Sequence, residues 1–360
     1  MSAPSSFNTL HTALEEAADH DEFAGVVVVR RGPEHVFEGA YGPASRRWPV
    51  PVELHTRFDT ASVTKAFTAV AVLQQVEAGR LALDEPIHEL VDLAGTQIPV
   101  EVTIGHLLTH TSGIADDADE EAGEDYAALW VDKPCYSVTE TVDFLPQFVH
   151  KAPNFAPGEG CRYCNAGYVL AGLALEKVTG QGYREYVVEH VFGPAKMRTA
   201  GFFDRRDPAP DVAEGWDPVR DADGRLITWR QNIFSYPPIG SPDGGAQVAA
   251  EDLLAFSSAL RAGRLLGPAM TAAFLSPQVV HHRRDDGSSV QYGYGLEFDV
   301  STGGEVRSWS KEGINTGASG ILRHYPDRGV DVVVLASSED GAWQPIRWVH
   351  DLVLGLPTID

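Results

Sequence analysis

Lysine is scarce in this 360-residue chain, occurring only at positions 65, 133, 151, 177, 196 and 311, and lysine and arginine together number 28 against 51 acidic residues. The resulting formal charge of -23 leaves no basic face for nucleic acid or an anionic membrane surface, which excludes both as partners. Arginine keeps its proton in a protein whereas a partly buried lysine gives it up, so the few lysines mark places where a titratable cation is wanted. Cysteine is equally sparse. Cys135, Cys161 and Cys164 are too few to frame a disulfide scaffold at this length, and the spacing Cys161-Arg-Tyr-Cys164 has no second pair to make it a metal or redox motif, so packing is expected. No apolar run approaches a membrane span, and the start Met-Ser-Ala-Pro-Ser-Ser-Phe-Asn lacks the basic and apolar regions of a signal peptide; a cytoplasmic protein is the expectation. Three chemistry-bearing motifs are missing as well: a Gly-x-Ser-x-Gly elbow, a His-Glu-x-x-His pair and a phosphate loop. His106 and His110 stand one helical turn apart without a third ligand in spacing, so no metal and no cofactor are expected.

What is present is enough for a large core, since 43 % of the residues are hydrophobic. Residues 6 to 20 read as an amphipathic helix, and 23 to 31 and 34 to 41 as two strands joined at Gly32-Pro33. Helical spacing follows at 66 to 79, 103 to 110, 139 to 149, 166 to 179, 183 to 192 and 250 to 261. Strand character returns at 292 to 300, 306 to 310, 317 to 325 and 330 to 337, before a last helix beyond Gly341. Strands at both ends with helices between them predict an α/β (α+β) fold: an antiparallel sheet built from the N- and C-terminal segments (1–75 and 285–360), flanked by helices, with a mainly helical region (76–284) inserted. The acidic run 116 to 125 reads as a solvated loop, or as a charged lid if it borders a cleft.

The chemistry begins at Asp59-Thr-Ala-Ser-Val-Thr-Lys65, where a serine and a lysine stand three apart at the start of an apolar helix. Positions i and i+3 share a helix face, so the Ser62 hydroxyl and the Lys65 ammonium can meet. A rival pair, Ser308 and Lys311, falls in a strand-like segment, where the same spacing points to opposite faces. Tyr163-Cys-Asn165 and Lys311-Glu-Gly313 complete a set of three. Taken singly each has a plain structural reading: Ser62 as a helix cap, Tyr163 as a buried aromatic, Lys311 as an edge-strand charge.

Together, Ser62-Val-Thr-Lys65, Tyr163-Cys-Asn165 and Lys311-Glu-Gly313 resemble, in order and spacing, the serine β-lactamase and penicillin-binding protein superfamily, in its class C-like branch of β-lactamases, esterases and D-aminopeptidases. Thr103 to Gly113, Gly244-Gly and Tyr292 to Gly295 extend the likeness. The resemblance implies a serine hydrolase forming an acyl-enzyme at Ser62, with Lys65 or Tyr163 as base and Lys311 as second cation. Asn165 would orient Lys65 and bind substrate, the N–H groups of Ser62 and Ile314 would hold the oxyanion, and Gly313 would let substrate backbone approach. Small ester, amide or peptide substrates follow; oligomeric state does not. Glu312 departs from the family's hydroxyl residue, and a carboxylate facing the cleft would repel anionic β-lactams. That favours an esterase or amidase of neutral or cationic acyl substrates over a β-lactamase, D,D-carboxypeptidase or D-aminopeptidase, and both over a catalytically silent ligand-binding or scaffold protein. Tyr126, Trp130, Trp229 and Tyr236 are candidate pocket walls.

Overall fold

The structure, a computed structural model, describes residues 4–207 and 209–358. Helix α1 (Phe7–Asp19) opens behind a reciprocal Ser6 and Thr9 cap and leads into β1 (Gly25–Arg31) and β2 (Glu34–Tyr41). A short β3 (Phe58–Asp59) and a 3-10 turn at Ala61–Val63 precede α2 (Thr64–Glu77). Then come α3 (Ile104–Leu108), α4 (Asn165–Thr179), α5 (Tyr183–Val187) and the single turn α6 (Gly193–Ala195). A hairpin, β4 (Trp216–Arg220) with β5 (Leu226–Gln231), is followed by β6 (Gln247–Val248), which pairs with β3. Helices α7 (Ala250–Arg261) and α8 (Pro268–Phe274) lead to β7 (Val279–Arg283), β8 (Ser289–Tyr292), β9 (Glu297–Val300), β10 (Val306–Asn315), β11 (Ala318–Tyr325) and β12 (Val330–Ala336), and α9 (Trp343–Leu354) closes the described chain.

Eight of these strands form one antiparallel sheet in the order β2-β1-β12-β11-β10-β9-β8-β7. Both of its faces are buried, and the strands say why. In β1, Val27 and Val29 pack with α1 and α9, whereas Val26 and Val28 enter the larger core around α2, so the usual alternation of apolar and polar becomes an unbroken apolar run. Helix α2 is buried from Thr64 through Leu73, as a helix apolar on all sides must be. The expected sheet of N- and C-terminal strands flanked by helices is therefore what forms.

Three expectations change. The segment 139 to 149 becomes a 3-10 turn at Thr141–Gln147, because Pro146 lies inside it and cannot donate to an α-helical ladder. The strand expected at 292 to 300 breaks into β8 and β9 around Gly295, whose φ of +74° makes a hairpin corner. The strand expected to stop at Ser310 continues to Asn315, so Lys311, Glu312 and Gly313 lie within β10. Pairing of β10 with β9 ends at Ser310 while pairing with β11 runs on to Asn315. The unpaired edge of Lys311 to Asn315 is left to meet the 61–63 turn.

A buried ion pair fastens α7 to the sheet. Asp331 in β12 accepts from both Arg261 Nη groups at 2.7 and 2.9 Å, from Ser257 Oγ at 2.7 Å, and lies 3.0 Å from His324 Nδ1. Burial alone would raise its pKa, but the hydrogen bonds from His324 and Arg261 prevail and hold it down at about 2. Removing one member strands a buried charge, so Asp331→Ala is expected to lose about 3–5 kcal/mol in urea denaturation. Because the folded pKa is depressed, the stabilisation is complete above the unfolded carboxyl value near about 4 and is lost as pH falls through about 2, a slope the variant should lack.

Candidate active site

Ser62 sits in the 3-10 turn, preceded by Ala61 at φ +42°, a left-handed conformation that an alanine rarely adopts. Three hydrogen bonds hold it there: Ala61 N–H to Asp59 Oδ1 at 2.8 Å, and Thr64 Oγ1 and Gly245 N–H to Ala61 O at 2.7 and 3.2 Å. On the other side β10 presses close. A Cβ on Gly313 would stand 2.2 Å from Thr60 O and 2.7 Å from Ser62 N, so glycine alone fits.

Lys65, one turn along and fully buried, reaches back to Ser62 Oγ at 2.9 Å. Its Nζ also donates to Asn165 Oδ1 at 2.7 Å and to the Asp243 carbonyl at 2.5 Å. Both of these partners are acceptors only, so they use two N–H groups and leave the third Nζ direction to the Ser62 hydroxyl, which can donate. Burial lowers the Lys65 pKa to about 8, aided by the nearby Lys311 ammonium and opposed by Asp243.

Tyr163 stands between the two cations, its ring centre 5.0 Å from Lys65 Nζ and 4.9 Å from Lys311 Nζ. Two neighbouring ammonium groups do not make its hydroxyl acidic. Burial pushes it well up, the Glu120 and Glu297 carboxylates add to that, and Glu297 pairs with Lys311 at 2.9 Å. Tyr163 is thus a neutral phenol. Beside it lies His110, itself at φ +59°, with ring centres 4.6 Å apart. Its Nδ1 accepts the Cys164 N–H at 3.1 Å, and burial with both lysines lowers its pKa well below normal, so it stays uncharged. His106 instead faces Thr103 N at 3.3 Å as part of a helix cap, so the two histidines turn to separate partners. Cys161 and Cys164 are free thiols whose pKa values burial raises, in keeping with packing.

Asn165 begins α4, where Cys164 supplies no side-chain cap. The Asp116 carboxylate does so in its place, accepting the Asn165 and Ala166 N–H groups at 2.8 Å each. The acidic run is therefore no simple solvated loop. Asp116 and Asp117 are buried, with Lys151 Nζ on their carbonyls at 2.9 and 2.7 Å, and Glu120 Oε1 accepts from Asn165 Nδ2 at 2.9 Å. Asp119 anchors the loop through two bonds from Arg162, at 2.9 and 2.6 Å. Motif reading passed over Asp116, Glu120, Glu297 and His110; the acidic run and the Thr103 to Gly113 loop were the available signals for three of them.

Ser62 and Asn165 open onto a cavity of about 470 Å³, bordered also by Ile314, Asn315 and Thr316 at the end of β10 and by Tyr126 and Tyr236. Trp130 and Trp229 are not in its wall: Trp130 is buried against Tyr126, and Trp229 lies under Arg46. Six acidic residues, Asp59, Glu120, Glu124, Asp125, Asp243 and Glu339, line it against a single arginine, Arg205. Glu312 is not among them. Strand alternation sends it, with Ser308 and Ser310, to a depression on the opposite side of β10, which removes the direct repulsion its sequence position suggested. Ser308 and Lys311 accordingly lie on different faces.

Asp116→Ala leaves two buried N–H groups without an acceptor and should cost about 2–4 kcal/mol. It should also lower kcat/KM, since Asn165 loses its anchor. Asp116→Asn, which keeps one acceptor, should fall between; urea denaturation and initial rates on a chromogenic ester check both.

The Beta-lactamase family model matches residues 11–353. Penicillin-binding protein 4* of Bacillus subtilis is 26 % identical over 342 residues, 92 % of this chain and 72 % of that protein. Esterase EstB of Burkholderia gladioli is 33 % identical over 274 residues, 70 % of this chain and 69 % of its own. Among solved structures, a penicillin-binding protein from Bacillus halodurans superposes with a TM-score of 0.87 at 37 % identity, covering 95 % of this chain and 99 % of that one. A match of this extent leaves no room for a chance likeness of three triplets: the chain belongs to the Beta-lactamase family of serine hydrolases.

Proposed function

We propose that Ser62 is the nucleophile and neutral Lys65 its base, in the hydrolysis of esters or amides whose acyl part is neutral or carries a cation. One observation supports this above the others. With Asn165 Oδ1 and Asp243 O each taking an N–H, the lone pair of uncharged Lys65 faces the Ser62 hydroxyl. As Oγ bonds the carbonyl carbon its proton passes to Nζ, and the carbonyl oxygen, now negative, takes the backbone N–H groups of Ser62 and Ile314. Collapse breaks the bond to the alcohol or amine, which receives a proton through the Tyr163 hydroxyl, refilled from the Lys65 ammonium. Lys311, paired with Glu297, keeps a second positive charge beside that hydroxyl and favours its transient loss of a proton. Water then enters by the same base and releases the acid. Gly313 permits close approach, and Asn165 Nδ2 meets the substrate together with Glu120.

The carboxylates of the cavity select against anionic acyl groups, which sets penicillin-type substrates below amine-bearing ones. Fluorophosphonate should add once to the wild type and not to Ser62→Ala by intact mass; labelling of both would sink Ser62 as the nucleophile. kcat/KM should rise with pH to a plateau above about 8, because Lys65 accepts a proton only in its neutral form, and Lys65→Arg should abolish turnover. An amino-acid p-nitroanilide with a free ammonium should exceed its N-acetyl counterpart about tenfold in kcat/KM, a preference Glu120→Gln should erase.

A further inference from the structure

A second cavity, of about 730 Å³, adjoins the first and shares four wall residues with it: Asp59, Arg205, Pro238 and Gln247. Both volumes are of the size that small-molecule sites have. The turn after β10 lies between them, with Ile314, Asn315 and Thr316 bordering the first cavity and Gly317, packed against Gly215 and Asn232, bordering the second.

The polar groups of the second cavity are largely engaged with each other. Arg206 grips Asp204 through Nε at 2.9 and 3.0 Å and through Nη2 at 2.5 Å. Glu214 takes Ser45 Oγ at 2.8 Å and Trp216 Nε1 at 3.2 Å, and Arg47 bonds Gln231. Gln247 Oε1 takes the Phe203 N–H at 2.7 Å, and Asn232 Nδ2 donates to Tyr236 OH and Thr316 O at 2.7 and 2.8 Å. Beside Asp207 and Arg205, what remains for a ligand is mainly apolar: Phe203, Val212, Ala213, Ile233 and Phe234, with Ile233 43 % and Phe234 69 % exposed at the rim. Large apolar side chains left open beside an occupied polar network have something to cover them in use.

We propose that this second cavity is the subsite for an aliphatic tail on the acyl group delivered to Ser62. The inference rests on the reading of Ser62 as nucleophile and of Ile314 N–H as part of the oxyanion site. A carbonyl held at Ile314 has its acyl chain leaving along Asn315 and Thr316 and passing the shared wall at Arg205 and Pro238 into the second cavity. Neither Tyr163 nor Lys311, on the leaving-group side, borders it. Arg205 stands at the junction, its Nη2 on Tyr236 OH at 2.6 Å and its guanidinium 4.0 Å from the Tyr236 ring centre; among the described residues it has no carboxylate in ion-pair contact. The chain passes that junction along its apolar side, at Pro238.

The test is the hydrolysis of p-nitrophenyl esters from acetate to decanoate. Each methylene taken from water into an apolar site is worth about two- to fourfold, so kcat/KM for decanoate should exceed that for butyrate at least about tenfold. Making the rim polar with Ile233→Asp and Phe234→Asp together, or filling the cavity with Ala209→Trp, should collapse that ratio to about one. Thermal midpoints verify folding, and the two exposed rim positions serve if the tryptophan variant is unstable. Equal wild-type rates for butyrate and decanoate, or an unchanged ratio in folded variants, would overturn the proposal. Binding of decanamide against acetamide to Ser62→Ala, by calorimetry, separates the two readings. If no ester is cleaved but decanamide binds and the rim variant releases it, the subsite stands without the proposed reaction. If decanamide fails to bind, the subsite falls whatever the reaction.

Discussion

Everything at this site depends on keeping an amine with no access to water between three oxygen atoms. An isolated ammonium buried this way is costly, by several kcal/mol even after relaxation. Lys65 meets that cost partly through the Asn165 and Asp243 acceptors and partly by holding its proton less firmly, at a pKa of about 8. At pH 7, freeing the base then takes about 1.4 kcal/mol instead of the roughly 5 kcal/mol of an ordinary lysine. Arginine would satisfy the same acceptors and never yield the proton, so the demand for lysine is chemical before it is geometric.

The partners of Lys65 come from distant segments, and the sheet brings them into register. Two strands compress Ser62, the proposed nucleophile: β3, paired with β6, fixes the entry to the 61–63 turn, and the overhanging end of β10 closes on it at Gly313. Between them Ala61 is held at positive φ. Such strain persists only where neighbours over-determine it, and the three hydrogen bonds to Ala61 N and O are that determination. Asn165 is aimed in another way, by a buried carboxylate at the start of α4. One side of the site is set by backbone packing, the other by a polar cap.

Much of this was legible in the chain. Ser62 and Lys65 declare themselves by spacing and helical context, and the rival at Ser308 fails because strands alternate. The apolar runs of β1 and β12 mark a sheet covered on both faces. What escaped was decided by contacts far apart in sequence. The six carboxylates around the cavity look, as a string of letters, like solvated loop and turn residues, and Asp116 differs from its neighbours only in what folds over it. Glu312 sits in a motif position yet faces away, because β10 runs past Ser310 and its alternation continues through Lys311-Glu-Gly. Tyr163, a candidate base beside two cations, keeps its proton because burial and the Glu120 and Glu297 carboxylates raise its pKa, and no sequence pattern links positions 163, 297 and 311.

Net charge, the first thing the sequence offered, acquires a location. A charge of -23 spread evenly would act on a substrate only through solvent and be screened within about 10 Å. The acidic residues that line the Ser62 cavity act inside a partly enclosed space where screening is weak, so in the proposed reaction they would weigh on selection out of proportion to their number. In the adjoining cavity Asp204 pairs with Arg206, Glu214 and Arg47 are held by neutral side chains, and apolar surface is left exposed. The two cavities, which share Arg205 in their walls, thus have different chemistry. On the proposed reading, a substrate satisfying both has its carbonyl at Ser62 and carries on its acyl side a polar group toward Asn165 and Glu120 and an apolar chain that enters the second cavity.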